Sequence, residues 1–202
     1  MNSSDPRAAQ AGAPESALRF DAHGQPDFDG RAVTVMGLGL FGGGTTVARF
    51  LARHGARVTA TDLRTANELA PALKELEGLD IRFVLGEHRT EDFTNAALVV
   101  ANPAVSPSST FLAAASAARV PITSEMALFL ELCPARIAAI TGTQGKSSTS
   151  NTLAQLLNAS GVTCHLGGNI GRSLLESAEL MHENDVVVLE MSRTSSRCCP
   201  RS

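Results

Sequence analysis

The residues most able to do chemistry in this 202-residue chain lie within residues 137–158. An apolar run leads into the loop TGTQGKSS at residues 141–148, and a helix-compatible stretch follows. A strand, a glycine-bearing loop and a helix are the arrangement that binds a polyphosphate. Backbone N–H groups surround the anion, a lysine neutralises it, and a hydroxyl can ligate Mg²⁺. The pattern therefore predicts a nucleotide phosphate site around Lys146 and Ser147.

The spacing of this loop is shorter than usual, because Ile140 stands where most phosphate-binding loops have a glycine. The lysine supports the functional interpretation, since the chain has two lysines, Lys74 and Lys146, against fifteen arginines. The alternative is an ordinary Gly/Thr/Ser turn in which the lysine stands by chance.

A second glycine loop, GLGLFG at residues 37–42, follows a predicted buried strand at residues 32–36. A predicted helix at 43–54 and a strand at 57–61 come next, and that strand ends in Asp62. Glycines allow a tight turn and a close approach of phosphate, and an acid at the next strand end can bind a ribose or base. This loop is therefore predicted to bind a nucleotide; a plain tight turn is the alternative.

Strands and helices continue to alternate after Asp62. Helices are predicted over residues 67–76, 109–118 and 125–132, and strands over 81–85, 97–101 and 121–123. Ser124 is predicted to cap the last of these helices. Such alternation builds a parallel sheet with helices on both faces, and ligands bind at the carboxyl ends of its strands. Asn102 follows one of these ends.

Cys133 and Pro134 interrupt the pattern, and we place a domain boundary there. The predicted fold class is α/β, a Rossmann-like parallel-sheet domain followed by the first part of a P-loop ATPase α/β domain. The predicted organisation is a flexible leader over 1–29, a nucleotide-binding domain over 30–133, a partial ATPase domain over 134–192 and a tail over 193–202.

The second unit contains a further acidic strand end. A short strand at 162–165, the loop GGNIG at 167–171, a helix to about residue 181 and a strand at 185–189 are predicted before Glu190. A carboxylate at the end of a strand that follows a phosphate loop can hold Mg²⁺. A solvated acid is the alternative for Glu190.

Composition excludes several classes of protein. A formal net charge of −3 argues against non-specific nucleic-acid binding, which needs a basic face. There is no apolar stretch long enough to span a membrane and no signal-peptide pattern, so a cytoplasmic location is expected. The four cysteines have neither metal-ligand nor disulfide-framework spacing.

The tail, SRTSSRCCPRS from Ser192 onward, has no apolar run and no helical period. We expect the natural sequence to end near Ser192, with the tail arising from truncation or a shifted reading frame. The alternative is a genuine disordered tail.

The motifs GLGLFG, TDLR, NPAV, SE, TGTQGKSST, GGNIG and VVVLEMS, in this order over about residues 30–192, resemble the Mur ligase family. The resemblance implies a three-domain enzyme, expected to be a monomer, that uses ATP and Mg²⁺. Its implied reaction joins D-glutamate to UDP-N-acetylmuramoyl-L-alanine through an acyl phosphate, in peptidoglycan precursor synthesis.

The resemblance also implies site residues. Those implied to bind the UDP substrate are Leu38, Gly39, Leu40 and Phe41 at the pyrophosphate, Asp62 and Arg64 at the uracil, Asn102 on the sugar side and Ser192 near the muramoyl group. Those implied to bind ATP phosphates are Gly142, Thr143, Gln144, Gly145, Lys146, Ser147 and Ser148. Lys146, Asn169 and Glu190 are implied to be catalytic, with Ser147 and Glu190 as Mg²⁺ ligands.

Three departures from the family pattern stand out. Gln144 replaces the family's usual asparagine, the residues after Ser192 do not follow the family, and no lysine follows Lys146. The family's carbamylated lysine and C-terminal domain therefore lack a counterpart. We expect this chain to bind the UDP-sugar without completing ligation.

Two other functions remain open from the sequence. One is an NAD-dependent oxidoreductase that uses loop 37–42 and Asp62; Arg64 beside that acid and the second phosphate loop argue against it. The other is a nucleotide-binding module without turnover.

Overall fold

The computed structural model describes residues 27–39, 43–168 and 173–191. The elements are β1 (Ala32–Met36), α1 (Gly43–Arg53), β2 (Arg57–Asp62), α2 (Ala70–Glu75), β3 (Ile81–Leu85), α3 (Thr90–Thr94), β4 (Leu98–Ala101), α4 (Thr110–Ala117), β5 (Ile122–Thr123), α5 (Glu125–Leu132), β6 (Arg136–Ile140), α6 (Lys146–Ala159), β7 (Cys164–Gly168), the 3₁₀ helix Leu175–Leu180 and β8 (Val186–Glu190). The predicted α/β class is confirmed.

The first sheet has five parallel strands in the order β3-β2-β1-β4-β5. Strand β1 lies in the middle because its β-branched residues are buried on both faces of the sheet. The chain passes to one side of β1 for β2 and β3 and to the other side for β4 and β5. A crevice opens at such a reversal, at the carboxyl ends of the strands.

The second sheet has three parallel strands in the order β6-β8-β7. Strand β8 lies in the centre, and Val187, Val188 and Leu189 are at most 1% exposed. Strand β6 lies at an edge, with Ile137 37% exposed. The end of β6 and the end of β8 are paired, since Ile140 is in register with Glu190.

One hydrophobic cluster joins the two sheets. Phe50 of α1 and Phe129 of α5 belong to the same cluster as Leu175 and Val187 of the second unit. Polar contacts reinforce this packing, because Arg49 Nε of α1 lies 2.8 Å from Glu176 Oε1 of the 3₁₀ helix. The sheets therefore share a core through α1, α5 and the 3₁₀ helix.

The structure differs from the prediction at three helical segments. Helix α2 begins at Ala70 instead of residue 67, because Pro71 in its first turn has no N–H to donate to the carbonyl of residue 67. Helix α3 was not predicted, since its five residues are too few to show a period. The segment that ends before Met181 is a 3₁₀ helix.

Strand β7 is also displaced, from the predicted 162–165 to 164–168. Its last two residues are glycines, which are depleted in strands and weaken the pattern. The structure explains the glycine at position 168, because a side chain there would collide with the backbone of Glu190 on β8.

The division into domains at residues 133 and 134 stays a proposal. Of the predicted leader and tail, only residues 27–29 lie within the described ranges. In those ranges there is no helix with both the length and the apolarity needed to cross a bilayer.

The predicted cap of α5 is confirmed. The Ser124 side chain accepts a hydrogen bond from the Ala127 backbone N–H at 3.3 Å. Ser109 stands at the equivalent position of α4 but makes no side-chain cap bond. These two serines form a matched pair.

We expect Ser124→Ala to lower the free energy of unfolding by about 1 kcal/mol, because it removes a cap that satisfies an otherwise unpaired helix N–H. Ser109→Ala should change it by less than about 0.5 kcal/mol. Urea denaturation of both variants measures the difference. Equal losses would show that the Ser124 cap does not stabilise α5.

Candidate functional site

A cavity of about 650 Å³ opens at the carboxyl ends of β1, β2 and β4. Among the residues that line it are the predicted UDP-site residues Gly39, Asp62, Arg64 and Asn102. Apolar side chains, including Leu63, form much of the remaining wall. A concave site with a few convergent polar groups is typical of small-molecule binding.

Asp62 holds the glycine loop at the base of this cavity. Its Oδ2 accepts hydrogen bonds from the backbone N–H groups of Leu38 at 3.0 Å and Gly39 at 3.3 Å. Its Oδ1 accepts one from the Arg64 N–H at 2.9 Å. Asp62 is 4% exposed, so its charge is stabilised by these donors instead of by water.

Leu38 does not line the cavity. Its side chain is fully buried and its N–H is already bonded to Asp62. Its part in any ligand site is therefore to support the loop. Gly39 and Gly43 bring backbone to the cavity wall.

Asn102 clamps the same loop from the β4 side. Its Nδ2 donates to the Gly37 carbonyl at 3.4 Å, and its Oδ1 accepts from the Ala104 N–H at 3.0 Å. The glycine loop is thus held from β2 and from β4, the strands on either side of β1.

His88 lines the cavity although the sequence offered no signal for it. Its Nδ1 lies 2.7 Å from Thr61 Oγ1, and its ring packs edge-on against Phe93 and Phe111 with centroids 5.8 and 5.1 Å away. Partial burial lowers the His88 pKa, which the nearby Asp62 charge opposes. A neutral imidazole therefore borders the cavity at pH 7, able to exchange hydrogen bonds with a ligand.

The second phosphate loop is exposed and leads directly into α6. Gly145 adopts a left-handed conformation, φ 74°, at the N-cap, and Lys146 is the first helical residue. The first turn of α6 has no acidic residue. Residues 142–145 therefore present the positive end of a helix to solvent, as an anion site requires.

Glu190 ends β8 beside this loop, in register with Ile140 on one side and Gly168 on the other. It is 6% exposed, and its Oε2 has no hydrogen-bond partner among the described residues. A buried carboxylate oxygen without a partner is costly unless a cation or donor reaches it. This oxygen fits the predicted Mg²⁺ site, with the Ser147 hydroxyl as the other predicted ligand.

Several predicted residues lie outside the described ranges: Leu40, Phe41, Asn169 and Ser192. Within those ranges there is no cluster of three or more His, Cys, Asp or Glu side chains suited to a metal ion.

Glu125 is the first residue of α5. The structure places its carboxylate behind the glycine loop, near Gly43. Burial raises the pKa of this carboxyl, and a hydrogen bond from Ser173 opposes the rise.

Comparison with known proteins agrees with this architecture. Residues 31–124 match the family described as Mur ligase MurD-like, N-terminal domain. Over 163 residues the chain is 48% identical to UDP-N-acetylmuramoylalanine–D-glutamate ligase of Roseiflexus sp. (strain RS-1), which covers 81% of this chain and 35% of that protein. Residues 31–124 therefore belong to the Mur ligase MurD-like N-terminal domain family.

A second relative, the ligase of the same name from Treponema pallidum (strain Nichols), is 47% identical over 165 residues. The match covers 81% of this chain and 31% of that ligase. The chain thus spans about a third of the length of these Mur ligases. The crystal structure of UDP-N-acetylmuramate:L-alanyl-γ-D-glutamyl-meso-diaminopimelate ligase from Neisseria meningitides superimposes with a TM-score of 0.51 at 19% identity, over 80% of this chain and 52% of that one. This likeness supports the fold.

We expect Asp62→Asn to lower the free energy of unfolding by about 2 kcal/mol, because a neutral amide cannot accept from all three backbone donors as a carboxylate does. Glu68→Gln is the control, since Glu68 is exposed and its carboxylate accepts hydrogen bonds from Thr65; its effect should be much smaller. Urea denaturation compares them. Equal effects would contradict a special role for Asp62.

The raised pKa of Glu125 predicts a pH-dependent effect of Glu125→Gln. A carboxyl group whose pKa is higher in the folded state than in the unfolded state stabilises the fold at low pH. This stabilisation is lost as the pH rises through the folded-state pKa. The stability of Glu125→Gln relative to the unmodified protein should therefore increase from pH 4 to pH 7. Denaturation curves at several pH values measure this change, and a difference that does not vary with pH would contradict it.

Proposed function

We propose that this chain contains the UDP-substrate domain and the beginning of the ATP-binding domain of a ligase. The proposed reaction joins D-glutamate to UDP-N-acetylmuramoyl-L-alanine in peptidoglycan precursor synthesis. The observation that carries the proposal is the cavity built on the glycine loop held by Asp62, within the segment that matches the MurD-like N-terminal domain. A cytoplasmic location and a monomeric state belong to the same proposal.

For the UDP substrate, we propose that the diphosphate lies against the glycine loop and the N-terminus of α1, where backbone N–H groups and the helix dipole favour an anion. The uracil is proposed to lie toward Asp62 and Arg64, and the sugar toward Asn102. The Arg64 guanidinium is available to a ligand, because its Nη1 makes only a long contact of 3.5 Å with Asp62 Oδ2 and its side chain is 42% exposed.

For ATP, we propose that residues Gly142 to Ser148 surround the phosphates, with Lys146 at the β- and γ-phosphates. Ser147 and the unpartnered oxygen of Glu190 are proposed to hold Mg²⁺, which would neutralise phosphate charge when bound. Asn169, in the loop after β7, is proposed to lie near the transferred phosphate.

In the proposed reaction the substrate carboxylate takes the γ-phosphoryl group of ATP, and ADP leaves. The amine of D-glutamate then attacks the acyl carbon, and phosphate leaves as the amide forms. Activation is necessary because a carboxylate at neutral pH has no good leaving group. Lysine stabilises the charge that develops on the transferred group. That this chain alone does not complete the second step stays a prediction.

The oxidoreductase alternative is not favoured, because the relatives that match at 40–48% identity are ligases by name. Thermal unfolding separates the two. UDP-N-acetylmuramoyl-L-alanine at about 100 times its Kd should add about 2.7 kcal/mol of stability, and NAD none. Stabilisation by NAD and not by the UDP-sugar would overturn the proposal.

The ATP site has its own test. Lys146→Ala should weaken ATP binding at least about tenfold, because a charged donor to the phosphates is lost, and leave binding of the UDP substrate unchanged. Lys74→Ala removes the other lysine, on α2, and is the matched control. Titration calorimetry with a non-hydrolysable ATP analogue and Mg²⁺ measures both. Equal affinities for the two variants would place ATP elsewhere.

A further inference from the structure

Glu125 lies at the beginning of two helices at once. It is the first residue of α5, and its Oε2 would be 2.8 Å from a Cβ added at Gly43, the first residue of α1. Helix α1 has no acidic residue in its own first turn. Glu125 therefore supplies, from another helix, the negative charge that favours a helix N-terminus.

The carboxylate is behind the glycine loop, on the far side from the large cavity. A small second cavity is lined by Glu125 together with Gly37, Gly43 and Asn102. These last three residues also line the large cavity. The same short piece of backbone thus separates Glu125 from the proposed diphosphate position.

We infer that Glu125 is a positioning residue that holds the first turn of α1 from behind. The inference rests on the proposed function, because it assigns Glu125 to the diphosphate part of the UDP site. Glu125 does not touch the ligand. It keeps the N–H groups at the start of α1 directed toward the cavity, where a diphosphate binds to them.

The consequence is a selective effect on ligands. A diphosphate depends on the helix N-terminus, so loosening the first turn of α1 weakens its binding. Uridine has no phosphate and is proposed to lie toward Asp62 and Arg64, so its binding does not depend on that turn. General damage to the fold would weaken both ligands equally.

The experiment is a titration of the whole chain with UDP and with uridine, followed by NMR. We expect Glu125→Ala to weaken UDP binding about tenfold, because the first turn of α1 loses the side chain behind it, and to leave uridine binding within about twofold. Glu125→Gln keeps the shape and should restore part of the UDP affinity. Glu77→Ala, which removes an exposed carboxylate after α2, is the matched control and should change neither.

Equal weakening of UDP and uridine by Glu125→Ala, or no weakening, would overturn the inference while leaving the proposed function standing. If the unmodified chain bound neither UDP nor uridine, the proposed function and the inference would fall together.

Discussion

The interaction on which the rest of the site depends is the buried carboxylate of Asp62 with its three backbone donors. A buried charge is tolerated only when donors replace water, and here the N–H groups of Leu38, Gly39 and Arg64 do so. These bonds join the loop after β1 to the turn after β2. Asn102 adds a bond from β4 to the same loop. The cavity exists because three adjacent strand ends are tied to one glycine turn.

The second sheet shares the core of the first and adds a different kind of anion site. Its phosphate loop is open and exposed, whereas the first glycine loop is braced by side chains from neighbouring strands. The unpartnered oxygen of Glu190 is a buried group near this loop that lacks a hydrogen-bond partner among the described residues. Such a group costs stability in the free protein, and a bound cation would remove that cost. The contrast suits the proposed UDP site, whose loop is already braced, and the proposed ATP site, which its ligands would complete.

Much of the fold could be predicted because its signals are local. The apolar run of β1, the glycines after it and the acid after β2 lie within one short segment, and the Ser124 cap is decided by its own helix. His88 and Glu125 could not be predicted as site residues. Their roles come from Phe111 and Gly43, which only the folded sheet brings near, and His88 itself stands in a polar stretch without a pattern. The bounds of β7 were predicted wrongly because its two glycines, one of which allows close packing against β8, are uncommon in strands.

The most direct test of the central claim is a ¹H–¹⁵N NMR titration of the chain with UDP. Binding at the proposed site predicts shifts of the Gly39, Gly43 and Arg64 amides and of the Asn102 side-chain amide, while the amides of β7, in the second sheet, stay unchanged. Shifts confined to residues 142–148, or no shifts at the glycine loop at saturating UDP, would contradict a UDP site built on Asp62.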